Sequence, residues 1–262
     1  MPQPLLLCMV GVLGLVVGSF LNVVIYRVPR AESLIRPGSH CPHCSAEVRN
    51  RHNIPVLGWL VLRGRCADCA APISSRYPLV EAGTAALFVA VALRFGWSWE
   101  LPAYLYLAAI AVALAAIDLD VMRLPDKIVL PSYAVAVVLL TPAVVAERSW
   151  AGALRGLIAA ALLYAFYRIL AVLPRGMGGG DVKLAPLLGL YLGWLGWSSV
   201  AVGAFAGFLL GGVVGALLIA LKLATRKSRI PFGPYMLTGA FVAVFAAAPI
   251  ATWYSSLLAP TA

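Results

Sequence analysis

The chain has 262 residues, of which 62% are hydrophobic and only 11% charged, and its mean hydropathy is +0.93. A water-soluble globule of this size cannot hide so much apolar surface. Composition therefore excludes a secreted enzyme, a disordered chain and an ordinary cytosolic domain, and makes the lipid bilayer the solvent. Twenty Lys and Arg against ten Asp and Glu give a formal charge of +10. Such a balance is one footprint of nucleic-acid binding, but here the basic residues gather beside apolar runs, as topology signals do, and no nucleic-acid partner is expected.

In chain order, apolar windows able to cross roughly 30 Å of hydrocarbon at about 1.5 Å per residue fall at 5–26, 78–95, 101–117, 128–146, 150–173, 184–197, 199–222 and 232–256. The pattern predicts an all-α polytopic membrane protein with about eight transmembrane helices and a cytoplasmic zinc-binding loop domain. Its parts are a first transmembrane helix at 1–26, a four-cysteine zinc-type domain at 27–77, and a seven-helix membrane domain at 78–262. No basic residue precedes the first run, which reads as a retained helix rather than a cleaved signal. The sixth window is short, and its separation from the seventh rests on a turn within Gly193 to Ser199, with Trp194 and Trp197 at headgroup level. No internal repeat is visible, and Gly203, Gly207, Gly211, Gly212 and Gly215 suit close helix packing in lipid.

With both termini external, sixteen of the twenty Lys and Arg residues fall in the four inner segments, 27–77, 118–127, 174–183 and 222–231. The positive-inside rule selects that orientation.

The long polar loop carries Cys41-Pro42-His43-Cys44 and then Cys66-Ala67-Asp68-Cys69. Two CxxC turns can aim four thiolates at one tetrahedral ion, and a loop with few large apolar side chains needs such an ion to fold, which points to structural zinc. A pair of disulfides is the competing reading; it requires an oxidising compartment, which the charge placement opposes. His40, His43 and His52 read as solvated loop residues, and Cys8, alone in the first span, as a buried apolar filler.

With only ten carboxylates in the chain, position is informative. Asp118 and Asp120 close the third span, at the negative end of a helix dipole where an acid is disfavoured. Asp126, after Leu124-Pro125, reads as a helix cap. The stretch Gly176-Met177-Gly178-Gly179-Gly180-Asp181-Val182-Lys183 leads into the sixth span; its glycines permit unusual backbone angles and close approach, and Asp181 taken alone reads better as an N-cap than as a catalytic group. Taken together, Asp118 and Asp181 fall at the inner membrane surface on separate spans. Two carboxylates sharing one water can hydrolyse a peptide bond. Helix-end dipoles assign the base to Asp181 and the acid to Asp118.

Several motifs occur in a fixed order: Gly18-Ser19-Phe20-Leu21-Asn22, the two CxxC pairs, Ser75-Arg76-Tyr77-Pro78-Leu79-Val80-Glu81, Asp118 with Leu124-Pro125-Asp126, Gly178-Gly179-Gly180-Asp181-Val182-Lys183, and Pro231-Phe232-Gly233-Pro234. In that order the chain resembles, nearly end to end, the type IV prepilin peptidases, membrane aspartic proteases of type IV pilus and type II secretion systems. The resemblance implies a multi-pass protein of the bacterial inner membrane that removes the leader of prepilins and pseudopilins at the cytoplasmic face, with Asp118 and Asp181 as the catalytic pair. It also implies N-methylation of the new N-terminus with S-adenosylmethionine; no motif in the sequence itself supports the methyl donor. Gly178, Gly179, Gly180, Lys183 and Glu81 are candidate supporting residues, with Glu81 and Asn22 reading equally as hydrogen-bonding groups between helices. Arg123 stands where many relatives are apolar, and the Pro231–Pro234 loop is expected to shape the floor of the site, with no chemistry of its own. The competing classes are a transporter, whose relay carboxylates belong near the midplane, and a noncatalytic assembly protein with a metal-binding regulatory loop.

Overall fold

The computed structural model describes residues 3–173, 177–225 and 228–258, and the regular structure among them is helical apart from two isolated β-bridges. The elements are α1 (Gln3–Arg27), a 3-10 turn (Asn50–His52), α2 (Leu57–Val61), α3 (Arg76–Phe95), α4 (Leu101–Val121), α5 (Asp126–Glu147), α6 (Trp150–Val172), α7 (Gly179–Leu195), α8 (Trp197–Ala220) and α9 (Gly233–Leu258). All eight expected spans are present as helices, and seven of them are long and apolar enough to cross a membrane. The exception is α7, with 17 residues. It begins at Gly179 rather than at the expected 184, so Asp181 lies in its first turn. The break before α8 is Gly196 alone, whose φ of 150° and ψ of 166° suit a residue without Cβ.

The chain forms two compact units, Met1–Ala113 and Leu114–Ala262. In the first, α1 and α3 lie so close that a Cβ at Gly14 would stand 2.6 Å from Ala85 Cα, and one at Gly18 2.7 Å from Glu81 Cα. Small residues four apart let two backbones meet without side chains between them, the usual route to helix pairing where lipid removes the hydrophobic drive. Asn22 donates across the same pair to the Tyr77 carbonyl at 3.1 Å. Arg27 is buried and donates to the carbonyls of Ser33 and Pro37 at 2.9 and 2.7 Å, turning the chain out of α1 into the polar loop.

The second unit repeats the device twice. Gly189 and Gly193 of α7 lie against Ala159, Ala160 and Gly156 of α6, and Gly239 of α9 lies against Gly203 and Gly207 of α8. Gly211 also contacts neighbouring rings, but Gly212 has nothing within 4 Å and Gly215 only the end of Ile230. The expected packing role thus fits the first three of the five glycines and does not hold for Gly212. From Leu187 to Trp194 every residue of α7 is buried. A helix apolar all round belongs inside, and one enclosed by protein need not match the bilayer thickness. Arg155 of α6 closes its end, donating to the carbonyls of Gly193 and Trp194 at 2.6 and 2.7 Å.

Candidate functional site

The polar loop of the first unit holds two knuckles of the same construction. In one, Cys41 N–H donates to Ala46 and Ser45 N–H to Cys41; in the other, Cys66 N–H donates to Ala71 and Ala70 N–H to Cys66. Ser45 and Ala70, each just after the second cysteine, take matching φ values of 58° and 56°, and the flanking bridges His40–Glu47 and Arg65–Pro72 correspond. This local repeat was not legible as sequence similarity. The Arg49–Asp68 ion pair at 2.7 Å joins the two knuckles.

The four sulfurs of Cys41, Cys44, Cys66 and Cys69 lie within 4.8 Å of one another. Two of the separations, Cys41–Cys69 and Cys44–Cys66, are 3.8 and 4.0 Å. A tetrahedral ion with metal–sulfur bonds of about 2.3 Å sets its sulfurs about 3.8 Å apart, so the cluster has the dimensions of a four-thiolate metal site. All five cysteines are free of disulfides. Electrostatics points the same way. The N–H groups of Cys44 and His43 bring the Cys41 thiol down to about 6. Cys69 is pushed up to about 12, because the Ala71 N–H that lowers it is outweighed chiefly by the neighbouring Cys44 sulfur. Four sulfurs this close cannot all ionise without a cation among them. Cys8, expected to be buried, is exposed on α1. A sulfur on the outside of a membrane helix faces acyl chain rather than water, so burial inside protein is not needed.

Two carboxylates of the second unit approach each other from separate helices. Asp118, in the last turn of α4, is 4% exposed, and its Oδ2 accepts the Gly233 N–H from the start of α9 at 3.0 Å. Asp181, in the first turn of α7, is 9% exposed. Leu124, in the turn between α4 and α5, connects the two: its side chain would lie 3.0 Å from a Cβ on Gly180 and 3.2 Å from one on Gly233. Asp118 and Asp181 are within electrostatic reach of each other, and Asp181 reaches the buried Tyr167 of α6 as well. Tyr167, Phe208 and Phe232 form a ring cluster beside them, the last next to Gly233.

The glycine stretch acts differently from expectation. Gly178 has ordinary extended angles, φ −65° and ψ 144°, and none of Gly178, Gly179 and Gly180 lies at positive φ. Gly176 lies outside the described residues. What the glycines supply is room, Gly178 beside Asp181 Oδ2 and Gly180 beneath Leu124, while a Cβ on Gly179 would meet nothing within 4 Å. Asp126 is not a cap, since Pro125 holds the cap position with no side-chain bond. Its carboxylate instead binds the Lys183 ammonium through both oxygens at 2.8 Å, fastening the start of α5 to the start of α7, where Tyr133 OH also donates to the Lys183 carbonyl. A full charge two helices away outcompetes the local N–H groups. Glu81 belongs to the first unit, where it is buried and accepts the Val56 N–H at 2.6 Å. Gly233 lies in the Pro231–Pro234 loop expected to shape the floor of the site, but no role of its own was legible in the sequence. It contributes a main-chain N–H, and the available signal was a glycine held between prolines in Pro231-Phe232-Gly233-Pro234.

Residues 12–95 match the family described as the bacterial peptidase A24 N-terminal domain, and residues 104–259 match the type IV leader peptidase family. The prepilin leader peptidase/N-methyltransferase of Stutzerimonas stutzeri is 36% identical over 268 residues, covering 93% of this chain and 91% of that protein. The protein of the same name from Aeromonas hydrophila is 38% identical over 272 residues, covering 94% and 92%, and that from Pseudomonas aeruginosa 34% over 268 residues, covering 93% and 91%. No solved structure matches the chain.

Proposed function

The chain belongs to the type IV leader peptidase family, and from that premise we propose that this multi-pass membrane protein is an aspartic endopeptidase that removes the leader of type IV prepilins and pseudopilins, with Asp118 and Asp181 as its working pair. The observation that carries the assignment is the proximity of the two buried carboxylates, one fixed by the Gly233 N–H and each within the other's field, with Leu124 packed against both Gly180 and Gly233.

In this reading one carboxylate is ionised and one carries a proton. The ionised group, assigned to Asp181 at the positive end of α7, takes a proton from a water whose oxygen adds to the scissile carbonyl carbon. The proton on Asp118 passes to the carbonyl oxygen, giving a neutral tetrahedral diol. Collapse of the diol breaks the C–N bond as a proton moves to the leaving amine. Oδ2 of Asp118 already accepts the Gly233 N–H, so the mobile proton belongs on Oδ1. Both acids sit in terminal turns of their helices, which favours a site at the inner interface, where a basic leader joins an apolar helix, over a midplane proton relay.

Zinc is the ion whose preferred distances and thiolate ligands suit Cys41, Cys44, Cys66 and Cys69; four protein ligands leave no open position, so its role is structural. The bacterial relatives support the bacterial inner membrane, and the positive-inside rule supports external termini and a cytoplasmic site. N-methylation of the new amine, with S-adenosylmethionine as donor, is supported by the relatives' names, and no residue of this chain is assigned to it.

The test is a model prepilin incubated with wild type, Asp118→Asn and Asp181→Asn in detergent or vesicles. Each single substitution is expected to slow leader removal by about 10³-fold or more. A wild-type rate from either variant overturns the assignment. Mass analysis of the product checks methylation by a gain of about 14 Da.

A further inference from the structure

We propose that α2 of the polar loop is an interfacial anchor that lays its apolar stripe into the inner headgroup layer of an anionic membrane. The inference goes beyond the proposed peptidase activity and does not depend on it.

The starting point is depth. Helix α3 is a candidate span of 20 residues from Arg76 to Phe95. At about 1.5 Å per residue, Glu81 lies roughly 7–8 Å inside the span's polar end. Its carboxylate accepts the Val56 N–H at 2.6 Å. The residue immediately before α2 is therefore held at the depth of Glu81, well within the interface. Amphipathic helices that lie on membranes bury their apolar face to a similar extent, about 5–10 Å into the boundary of headgroups and acyl chains.

The tether is built at a backbone cost. Val56 has φ 61° and ψ −50°, and Leu57 N–H donates to Pro55 O at 2.6 Å. This is a γ-turn of the rare positive-φ kind, centred on a β-branched residue. Such strain persists only where the surroundings over-determine it, and here the buried Glu81 carboxylate takes the N–H that the turn presents.

The consequence is the face that α2 turns outward. Gly58 packs so tightly against the His52 carbonyl that a Cβ would fall 2.1 Å from its oxygen, and Trp59 turns inward, its indole N–H donating to Ile73 O at 3.0 Å. Leu57, Leu60 and Val61, at i, i+3 and i+4, are left 57%, 55% and 76% exposed, with Ile54 beside them at 49%. An apolar stripe in water is a liability, but at this depth it meets acyl chains. Arg51, Arg63 and Arg65 flank it and are exposed. Their guanidinium groups can reach outward to anionic headgroups while their stems stay in the interface. The combined apolar and basic character selects an anionic lipid surface over an uncharged protein groove.

The experiment uses the full chain in vesicles of phosphatidylcholine and phosphatidylglycerol containing a phospholipid with a photoactivatable diazirine near its glycerol backbone. Irradiation and peptide mapping by mass spectrometry locate the lipid adducts. Wild type is expected to carry adducts on residues 54–63 at a yield comparable to Leu79, which is 68% exposed near the same end of α3. Combining Leu57→Asn with Leu60→Asn is expected to lower the yield on that segment about tenfold while leaving Leu79 labelled. Glu81→Ala, which removes the tether, is expected to lower it also. Labelling of Leu79 without labelling of 54–63 in wild type overturns the proposal, with no need for a variant. Capture of added prepilin by 54–63 in place of lipid overturns it in favour of a substrate surface.

Discussion

Replacing Gly233 with alanine tests the geometry of the acid pair with a single methyl group. The added Cβ would stand 2.7 Å from Asp118 Oδ2, 3.4 Å from its Cγ and 3.2 Å from Leu124 Cδ2. To restore an ordinary contact the carboxylate oxygen must retreat by about 0.7 Å. It has little room, because Asp118 is only 4% exposed and Leu124 is already pressed against Gly180. Displacements of about 1 Å in a reacting group cost on the order of 10² in rate. Stability should change far less, since overpacking of about 1–3 kcal/mol is offset in part by up to about 1 kcal/mol from the better helix propensity of alanine. The expected outcome is a drop of about 10²-fold in kcat/KM for leader removal from a model prepilin, with thermal unfolding in detergent close to wild type. Gly212→Ala, whose Cβ meets nothing within 4 Å, supplies the control and should leave both unchanged. Cleavage by Gly233→Ala within a factor of about three of wild type would show that the Gly233 N–H and Asp118 do not form the working arrangement.

The glycines before Asp181 should separate in the same assay: Gly180→Ala, which presses on the Leu124 Cβ at 3.0 Å, lowers activity, whereas Gly179→Ala, with open space around it, is tolerated; equal effects of the two would contradict a role as room. Purified protein should carry one zinc per chain by elemental analysis, and Cys44→Ser or a strong chelator should release it and open residues 30–75 to limited proteolysis; an unchanged digest after metal loss would remove the structural role. Arg155→Met leaves the last carbonyls of α7 without their charged donor and should cost about 1–3 kcal/mol, seen as a lower Tm in detergent with the cleavage site chemically intact. Lys183→Met breaks an ion pair whose side chains are 46% and 52% exposed, so its cost should stay within about 1 kcal/mol and shrink in high salt; a loss of several kcal/mol would mean that Lys183 does more than join α5 to α7.

The fold was legible because lipid imposes a simple rule on sequence. Every backbone group in the hydrocarbon must be paired within its own helix, so a long apolar run is nearly sufficient to specify one. The rule failed where lipid is not the neighbour. Asp181 and Lys183 made the start of the sixth run look like a loop, yet α7 begins at Gly179, because its surroundings are other helices and its polar first turn has partners there. The position of Asp118 was legible for a related reason: in a chain so poor in acids, an aspartate at the negative end of a helix needs an explanation that local propensity does not give, and it draws attention to Asp181, which alone passes for a cap.

What escaped the sequence was whatever depends on the third dimension without a distinctive side chain. Asp126 follows the local pattern of a cap, but Lys183 lies 57 residues on and its charge decides the contact. The two knuckles share little beyond their cysteines, since their likeness resides in main-chain bonds and in two positive φ angles at Ser45 and Ala70 that are not glycines. Gly233 is the extreme case, contributing only an N–H and the absence of a Cβ. Its N–H fixes one oxygen of Asp118, and Leu124 ties it sterically to Gly180 and so to Asp181. The two aspartates are thus held by three residues without a titratable side chain. A search restricted to titratable groups finds the two aspartates and misses what holds them together.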